Sequence, residues 1–399
     1  MDILIKNCRI VDETKDMEGD LYIKGGKIAQ YGENIEADCK IIDGAGLVAM
    51  PAFIDMHAHF REPGFTYKED LYTGSQAALK GGYTFVNLMA NTKPICSSMD
   101  IVEYVLKKSK ELDLIDIHQT VSITKDFDGK TLDHLDAIDD RVKFISDDGL
   151  GVQSNLTMYK TMLKARKKGL IIIAHEEDEE IVDIDTRLSE NIMTLRDIYL
   201  SSITGGKLHL AHVSTRESIE AIRRGKKEGL KISCEVTPHH ISLYSNAYRV
   251  NPPIREREDV EALIEGIKDG TVDVIATDHA PHSLEDKKKG APGISGLETA
   301  FSICYTHLVR SNIISLNRLS QLMSATPGKL IGINKGKIKE GYDGDIVLVD
   351  LNKKITVRGE EFVSKGKNTP FNGMEFYGQI MATLRKGEIK YKGGIDLDN

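Results

Sequence analysis

Eight strand-length apolar runs alternate with helix-period segments, and short glycine-punctuated β-type runs frame them at both ends of the chain. Together these features predict an α/β fold: a (β/α)8 TIM-type barrel with a small β-sandwich domain built from both chain ends. The barrel is expected over residues 51–335 and the composite β domain over 1–50 and 336–399. A chain of 399 residues has room for one large domain and one small one.

At the start, Ile3 to Ile5, Asp20 to Lys24, Lys27 to Tyr31 and Lys40 to Asp43 read as short strands. Gly25-Gly26 is a two-residue hairpin signal, because glycine tolerates the positive φ such turns need. The same texture returns at Asp345 to Asp350 and Glu388 to Tyr391, with Gly341, Gly344 and Gly387 as turns. The eight barrel candidates are Ala52 to Met56, Tyr83 to Leu88, Asp116 to Val121, Val142 to Ser146, Leu170 to Ala174, Leu208 to Ala211, Lys231 to Val236 and Asp273 to Thr277. The clearest helix is expected to follow Asn155 as its N-cap. It would turn Leu156, Tyr159, Met162, Leu163 and Ala165 to one face and stop at Gly169.

Composition narrows the function classes. Hydrophobic content of 40 % with 29 % charged residues is that of a globular chain that folds throughout. A net charge of −8 supplies no basic field, so neither nucleic acid nor an anionic membrane is an expected partner. No apolar run approaches the roughly 18 residues of a membrane span, and the first residues carry no basic segment. The five cysteines, Cys8, Cys39, Cys96, Cys234 and Cys304, are scattered, without a C-x-x-C pair. A cytoplasmic protein acting on a small molecule is the expectation.

Six of the eight strand candidates are followed at once by a residue able to bind a metal: His57 and His59, Asp148, His175, His212, His239 and His240, and Asp278. The C-terminal ends of barrel strands converge on one face, where such enzymes act. From Asp148 onward the successive candidates lie 27 to 39 residues apart, room for one helix and one strand. In His57-Ala58-His59 the alternation of an extended chain sends both imidazoles to the same side. Two histidines on a strand end are common on surfaces, but here they follow the buried-strand sequence Pro51-Ala52-Phe53-Ile54-Asp55 and precede Phe60-Arg61-Glu62-Pro63-Gly64.

The string Asp55 to Gly64 resembles the signature of the dihydroorotases in the amidohydrolase superfamily. Ala90-Asn91-Thr92-Lys93-Pro94, Ser146 to Gly149, Ala174 to Asp178, Ala211 to Thr215, Thr237 to His240, Asn251 to Pro253 and Ala276 to His282 follow in family order, so the resemblance spans nearly the whole chain. It implies His57, His59 and Asp278 on one divalent metal, His175 and His212 on a second, and a bridging carboxylate. In the class most resembled the bridge is an aspartate, which maps to Asp148. Many relatives use a carboxylated lysine instead, for which Lys143 is the alternative. The stretch between His175 and His212 is shorter than in many relatives.

Imidazole and carboxylate ligands without thiolate suit Zn²⁺, with Mn²⁺ or Co²⁺ as substitutes. The resemblance implies two zinc ions per subunit, a metal-activated hydroxide as nucleophile, and Asp278 as general base. It also implies that Arg61, Asn91 and His282 bind the carboxylate of an anionic substrate. The expected reaction is the reversible opening and closing of dihydroorotate to N-carbamoyl-L-aspartate, in pyrimidine biosynthesis. A homodimer or association with a pathway enzyme is the expected assembly.

His239, His240 and Asp147 are expected outside the ligand set, and His279 to orient Asp278 or cap its strand. The run Leu284 to Gly296 reads equally as a solvated loop or a mobile lid. An allantoinase or hydantoinase would share the metals but lack use for the Arg61 trio. A scaffold homologue would be expected to have lost ligands. A metallo-β-lactamase-like site would continue H-x-H-x-D-H, whereas Phe60-Arg61-Glu62 follows here.

Overall fold

A computed structural model describes residues 2–394. Five strands open the chain: β1 (Ile3–Val11), β2 (Asp16–Lys24), β3 (Lys27–Gly32), β4 (Lys40–Asp43) and β5 (Val48–Pro51). β2 and β3 are joined by Gly25 and Gly26 with φ of 56° and 78°, the left-handed values that a tight hairpin matched to strand twist requires.

Eight strands then form the barrel: β6 (Phe53–Ala58), β7 (Tyr83–Leu88), β8 (Asp116–Gln119), β9 (Phe144–Ile145), β10 (Ile171–Ala174), β11 (Lys207–Leu210), β12 (Ile232–Val236) and β13 (Val274–Ile275). β6, β7 and β12 are buried at every position, as expected of parallel strands covered on both faces. Parallel ladders run β6-β7-β8 and β9-β10-β11-β12-β13. Single parallel bridges, Val121 to Ile145 and Ala58 to His279, join the two sets into a closed ring.

Helices α1 (Leu71–Lys80), α2 (Met99–Leu112), α3 (Asn155–Lys168), α4 (Thr186–Thr204), α5 (Arg216–Lys227) and α6 (Arg257–Asp269) follow β6, β7, β9, β10, β11 and β12. The β8 to β9 connection has no α-helix, only two 3₁₀ turns at Lys125–Phe127 and Asp133–Asp136. After β13 come the short α7 (Leu284–Lys288) and further short helical segments between residues 300 and 331.

The chain closes with β14 (Ile346–Thr356), β15 (Glu375–Arg385) and β16 (Glu388–Lys392). They extend one sheet in the order β16-β15-β14-β5-β1-β2-β3, with β4 on β1. The seam between the chain ends is β14 on β5, antiparallel, from Ile346 opposite Pro51 to Val349 opposite Val48. Only Ala52 separates β5 from β6. This sheet has its own core of Ile3, Ile5, Ile10, Leu21, Leu348 and Leu384.

Two local expectations are corrected. The cap of α3 is Ser154, whose hydroxyl accepts from the Thr157 amide, and Asn155 is already helical. The buried face of α3 is Thr157, Met158, Thr161, Met162 and Ala165, while Leu156, Tyr159 and Leu163 are exposed. Met162 and Ala165 belong to both faces, so the true face is rotated away from the most apolar one.

Candidate metal centre

Every metal-capable residue expected in the site sits at or just past the C-terminal end of a barrel strand. His57 is the penultimate residue of β6 and His59 lies one residue beyond it; Asp148 follows β9, His175 β10, His212 β11 and Asp278 β13. His212 and Asp278 have φ of 30° and 45°, and Arg61 has 60°. Left-handed backbone costs a non-glycine residue about 1–3 kcal/mol, and such outliers gather where surrounding structure holds a functional geometry.

All six side chains converge. His57 Nε2 is 3.3 Å from Asp148 Oδ1 and 3.6 Å from Asp278 Oδ1. His59 Nε2 lies 3.1 Å from Asp278 Oδ1 and 3.5 Å from Asp148 Oδ2. His175 Nδ1 and His212 Nε2 face each other at 2.9 Å and stand 3.5 and 3.7 Å from Asp148 Oδ1. Two triads have their ligand atoms within 4.8 Å of one another: His57, His59 and Asp278, and His57, Asp148 and His212. Lys143, the alternative bridge, is exposed at the opposite end of β9.

The electrostatics ask for cations. Burial alone would lower the pKa of His57, but the carboxylates of Asp148 and Glu235 outweigh it and raise it well above the ordinary imidazole value. Burial likewise opposes a charged His175, yet Asp148 and Glu177 lift it to about 10. The Asp148 carboxyl, though fully buried, is held well below the usual range by His57, His175 and His212. Within this cluster His57 Nε2 and Asp148 Oδ1 are buried without a hydrogen-bond partner. An unsatisfied buried polar atom costs about 1–3 kcal/mol, and a divalent ion between these atoms would remove that cost. Four imidazoles and two carboxylates with no thiolate form a donor set suited to zinc.

Supporting residues fix the rings. His57 Nδ1–H donates to Glu235 Oε1 at 2.6 Å, which leaves Nε2 as the nitrogen facing the centre, able to give up its proton to a metal. The other Glu235 oxygen lies 3.1 Å from His209 Nε2, and Ser233 Oγ lies 2.8 Å from His209 Nδ1. Although burial raises its pKa, Glu235 is held at about 2 by His57 and His209. Sequence reasoning missed Glu235; its signal is a lone acid inside the buried run Ile232-Ser233-Cys234-Glu235-Val236. Asp55 accepts from the Thr277 amide at 2.9 Å and from its hydroxyl, tying β6 to the segment that carries Asp278.

A cavity of about 200 Å³ opens over these groups, lined in part by Arg61, Asn91, Asn251, His282 and Gly293. Asn91 accepts from His59 Nδ1–H at 2.8 Å and donates to Asp148 Oδ2 at 3.4 Å, so it orients the metal-facing groups as well as lining the cavity. Gly64 is required here: a Cβ would lie 2.1 Å from the Lys93 carbonyl, and the Arg61 loop could not pack on the Asn91 loop. Arg61 Nε is buried without a partner. Arg61 Nη2 and Lys68 Nζ approach the two ring nitrogens of His282, each at 3.4 Å. Burial, Arg61 and Lys68 lower the His282 pKa to about 3. A neutral imidazole keeps one N–H, so only one of these contacts is a hydrogen bond. Lys68 is paired with Asp286 at 3.6 Å, whereas among the described residues the Arg61 side chain has only the His282 contact. Lys68 has no signal in the sequence.

Outside the ligand set, most ring nitrogens near the mouth have other partners, though His239 Nε2 is buried without one. His240 bonds Thr237 Oγ1 at 2.8 Å and the Pro252 carbonyl at 2.9 Å. His239 packs on it with ring centroids 4.4 Å apart. His279 pairs with Glu69 at 3.3 Å and accepts from the Gly296 amide at 3.1 Å, rather than contacting Asp278 through its ring. Asp147 accepts from the amides of Ile123 and Thr124 at 2.7 and 3.0 Å, pinning the helix-free β8 to β9 connection. Lys287 of α7 donates from its Nζ to the carbonyls of Ala291 and Gly293 in the loop that follows, at 2.8 and 3.1 Å.

A closed parallel barrel with clustered imidazoles and carboxylates at its C-terminal mouth defines a metal-dependent hydrolase, and the chain belongs to the amidohydrolase family, whose profile matches residues 48–390. L-hydantoinase (dihydropyrimidinase) from Arthrobacter aurescens superposes with a TM-score of 0.89 at 26 % identity, covering 99 % of this chain and 97 % of that one. Within the family its place is among the dihydroorotases. It is 56 % identical over 397 residues to the dihydroorotase of Clostridium botulinum, covering 98 % of this chain and 100 % of that protein. It is 39 % identical to the dihydroorotase of Fusobacterium nucleatum subsp. nucleatum, covering 98 % of each.

Proposed function

We propose that this chain catalyses the reversible interconversion of dihydroorotate and N-carbamoyl-L-aspartate, using two zinc ions held by His57, His59, Asp148, His175, His212 and Asp278. The observation that carries the substrate is the buried, unpartnered Nε of Arg61 beside His282 and Lys68. A guanidinium with free N–H groups at a cavity wall suits a carboxylate through parallel hydrogen bonds. A hydantoin ring has no carboxylate to offer it. Bound there, the metals would supply a water of lowered pKa and polarisation of the ring carbonyl.

The residues of the chain do the rest. Asp278, 3.1 Å from His59, takes the proton of the attacking water on its carboxylate and delivers it to the departing amide nitrogen. Asp148 lies between the two histidine pairs and would help hold the ions there. Arg61 and His282 hold the substrate carboxylate, and Asn91 holds His59 and Asp148 in register. Glu235 fixes the tautomer of His57. Among the described residues all five cysteines are free and no helix is long and apolar enough to cross a membrane. These features support a cytoplasmic setting, and the exposed apolar side chains of α4, Leu188, Ile192, Leu195, Tyr199 and Ile203, support assembly as a homodimer.

The test is turnover of zinc-loaded protein on dihydroorotate, allantoin and hydantoin, with a chelated sample alongside. Metal-dependent loss of dihydroorotate alone is expected. Turnover of hydantoin at an equal or greater rate would discard the carboxylate assignment. Separately, Glu235→Gln is expected to weaken zinc binding about 10- to 100-fold, read by competition with a chromophoric chelator. Unchanged affinity would remove Glu235 from the site's support.

A further inference from the structure

The cavity over the metal centre is anchored from outside the barrel. The connection from β14 to β15, residues 357–374, leaves the β domain and bonds to loops at the barrel mouth. Along its middle alternate residues turn inward: Ser364, Gly366 and Asn368 are buried, while Lys365 is exposed. That alternation is the one an extended chain produces. Gly366 permits the approach, since a Cβ there would lie 2.5 Å from Pro281 Cβ and 2.6 Å from Ser295 Oγ.

One half of the segment holds the loop that carries Arg61. That loop is closed by the Phe65 amide on the Arg61 carbonyl at 2.9 Å. Ser364 donates from its hydroxyl to Glu69, and Lys365 Nζ donates to the Thr66 carbonyl at 2.6 Å and to Asp70 at 2.5 Å.

The other half holds the loop that carries His282. Asn368 Oδ1 accepts from the His282 amide and the Ser295 hydroxyl, each at 3.1 Å. Asn368 Nδ2 donates to the Gly293 carbonyl at 2.9 Å and, more weakly, to the Ala280 carbonyl at 3.4 Å. Ala280, His282 and Gly293 all line the cavity, so a single side chain ties three of its lining residues together.

The partners fix which way the amide points. A backbone N–H only donates and a carbonyl only accepts, so the oxygen must face His282 and the NH₂ must face Gly293 and Ala280. Turning the group over would leave all of these buried atoms unsatisfied. The His282 main chain is thus held from the β domain, while its ring stands 3.4 Å from Arg61 Nη2 and from Lys68 Nζ. Among the described residues no hydrogen bond of Asn368 reaches a metal-facing side chain.

On the assignment of Arg61 and His282 to the substrate carboxylate, we propose that Asn368 is a positioning residue for that carboxylate. From the β domain it sets where His282 meets Arg61, and so favours an anionic ring.

The test is steady-state kinetics of the zinc-loaded Asn368→Ala variant on dihydroorotate, with metal content and thermal melting of the same preparation. KM is expected to rise about 10- to 100-fold, as when a hydrogen bond to a charged group is lost, with kcat nearly kept and both zinc ions retained. A loss confined to KM is the mark of a binding contact. Asn368→Asp, equal in shape, sets a carboxylate oxygen against the Gly293 and Ala280 carbonyls and should show the same split. Asn372→Ala is the control: its side chain accepts from the Gly359 amide at 2.9 Å within the same connection, and it should lower the melting temperature at unchanged KM. In an Arg61→Met background, Asn368→Ala should add little, because both act on one carboxylate. Unchanged KM in both Asn368 variants overturns the proposal, as does full additivity with Arg61→Met. Variants that do not fold, or that lose kcat or zinc at unchanged KM, mark a merely structural residue and overturn it too. A parent without turnover of dihydroorotate fails the substrate assignment itself, whereas an active parent with unchanged KM in the variants fails Asn368 alone.

Discussion

Asp278→Asn is expected to lower kcat for ring opening by roughly 10²- to 10⁴-fold, the usual worth of a positioned proton carrier. Asparagine keeps the shape and an oxygen able to face the metals, so both ions should remain bound. What disappears is the basic site. In the free protein Asp278 is buried, yet His59 and His57 hold its carboxyl well below the ordinary range, so the form ready to accept a proton prevails at neutral pH. The measurement is kcat with dihydroorotate together with the metal content of the same preparation. A metal-replete variant within tenfold of the parent would sink the proton-transfer role.

Arg61→Met is expected to reduce kcat/KM for dihydroorotate by on the order of 10²- to 10³-fold, since a buried charge pair loses about 2–5 kcal/mol when one partner is truncated. Methionine retains the apolar stem, so packing against the Gly64 loop changes little. The loss should fall on the anionic substrate, while any slow hydrolysis of hydantoin-type uncharged rings should not fall with it. Equal losses on charged and uncharged rings would show that Arg61 supports the site's shape and does not read the carboxylate.

Much of this architecture is legible in the sequence because parallel barrel strands are buried on both faces. Continuous apolar runs therefore stand out, and the polar residues that end them are conspicuous: His57, His59, Asp148, His175, His212 and Asp278. The strand β15 is not legible, because Gly378 and Gln379 interrupt its apolar run. Glu235 and Lys68 escape for a different reason. Their importance lies in what they face across the barrel, and no local spacing encodes that. On α3, hydrophobicity alone points to the wrong face, since Leu156, Tyr159 and Leu163 turn outward. Thr157 and Thr161 take the buried side, with the Thr161 hydroxyl satisfied by the Thr157 carbonyl at 2.9 Å. Asn91, which the family resemblance assigns to the substrate, lines the cavity and also bonds His59 and Asp148.

The seam of β14 on β5 also sets an order of events during synthesis. β5 runs through Ala52 into the strand bearing His57 and leading to His59, but its partner at Ile346 to Val349 leaves the ribosome nearly 300 residues later. At about 5–20 residues per second, the segment ahead of the first two metal ligands waits on the order of 15–60 s for its β14 partner. The nascent chain must carry its first histidines unanchored on that side until almost the whole protein has been made.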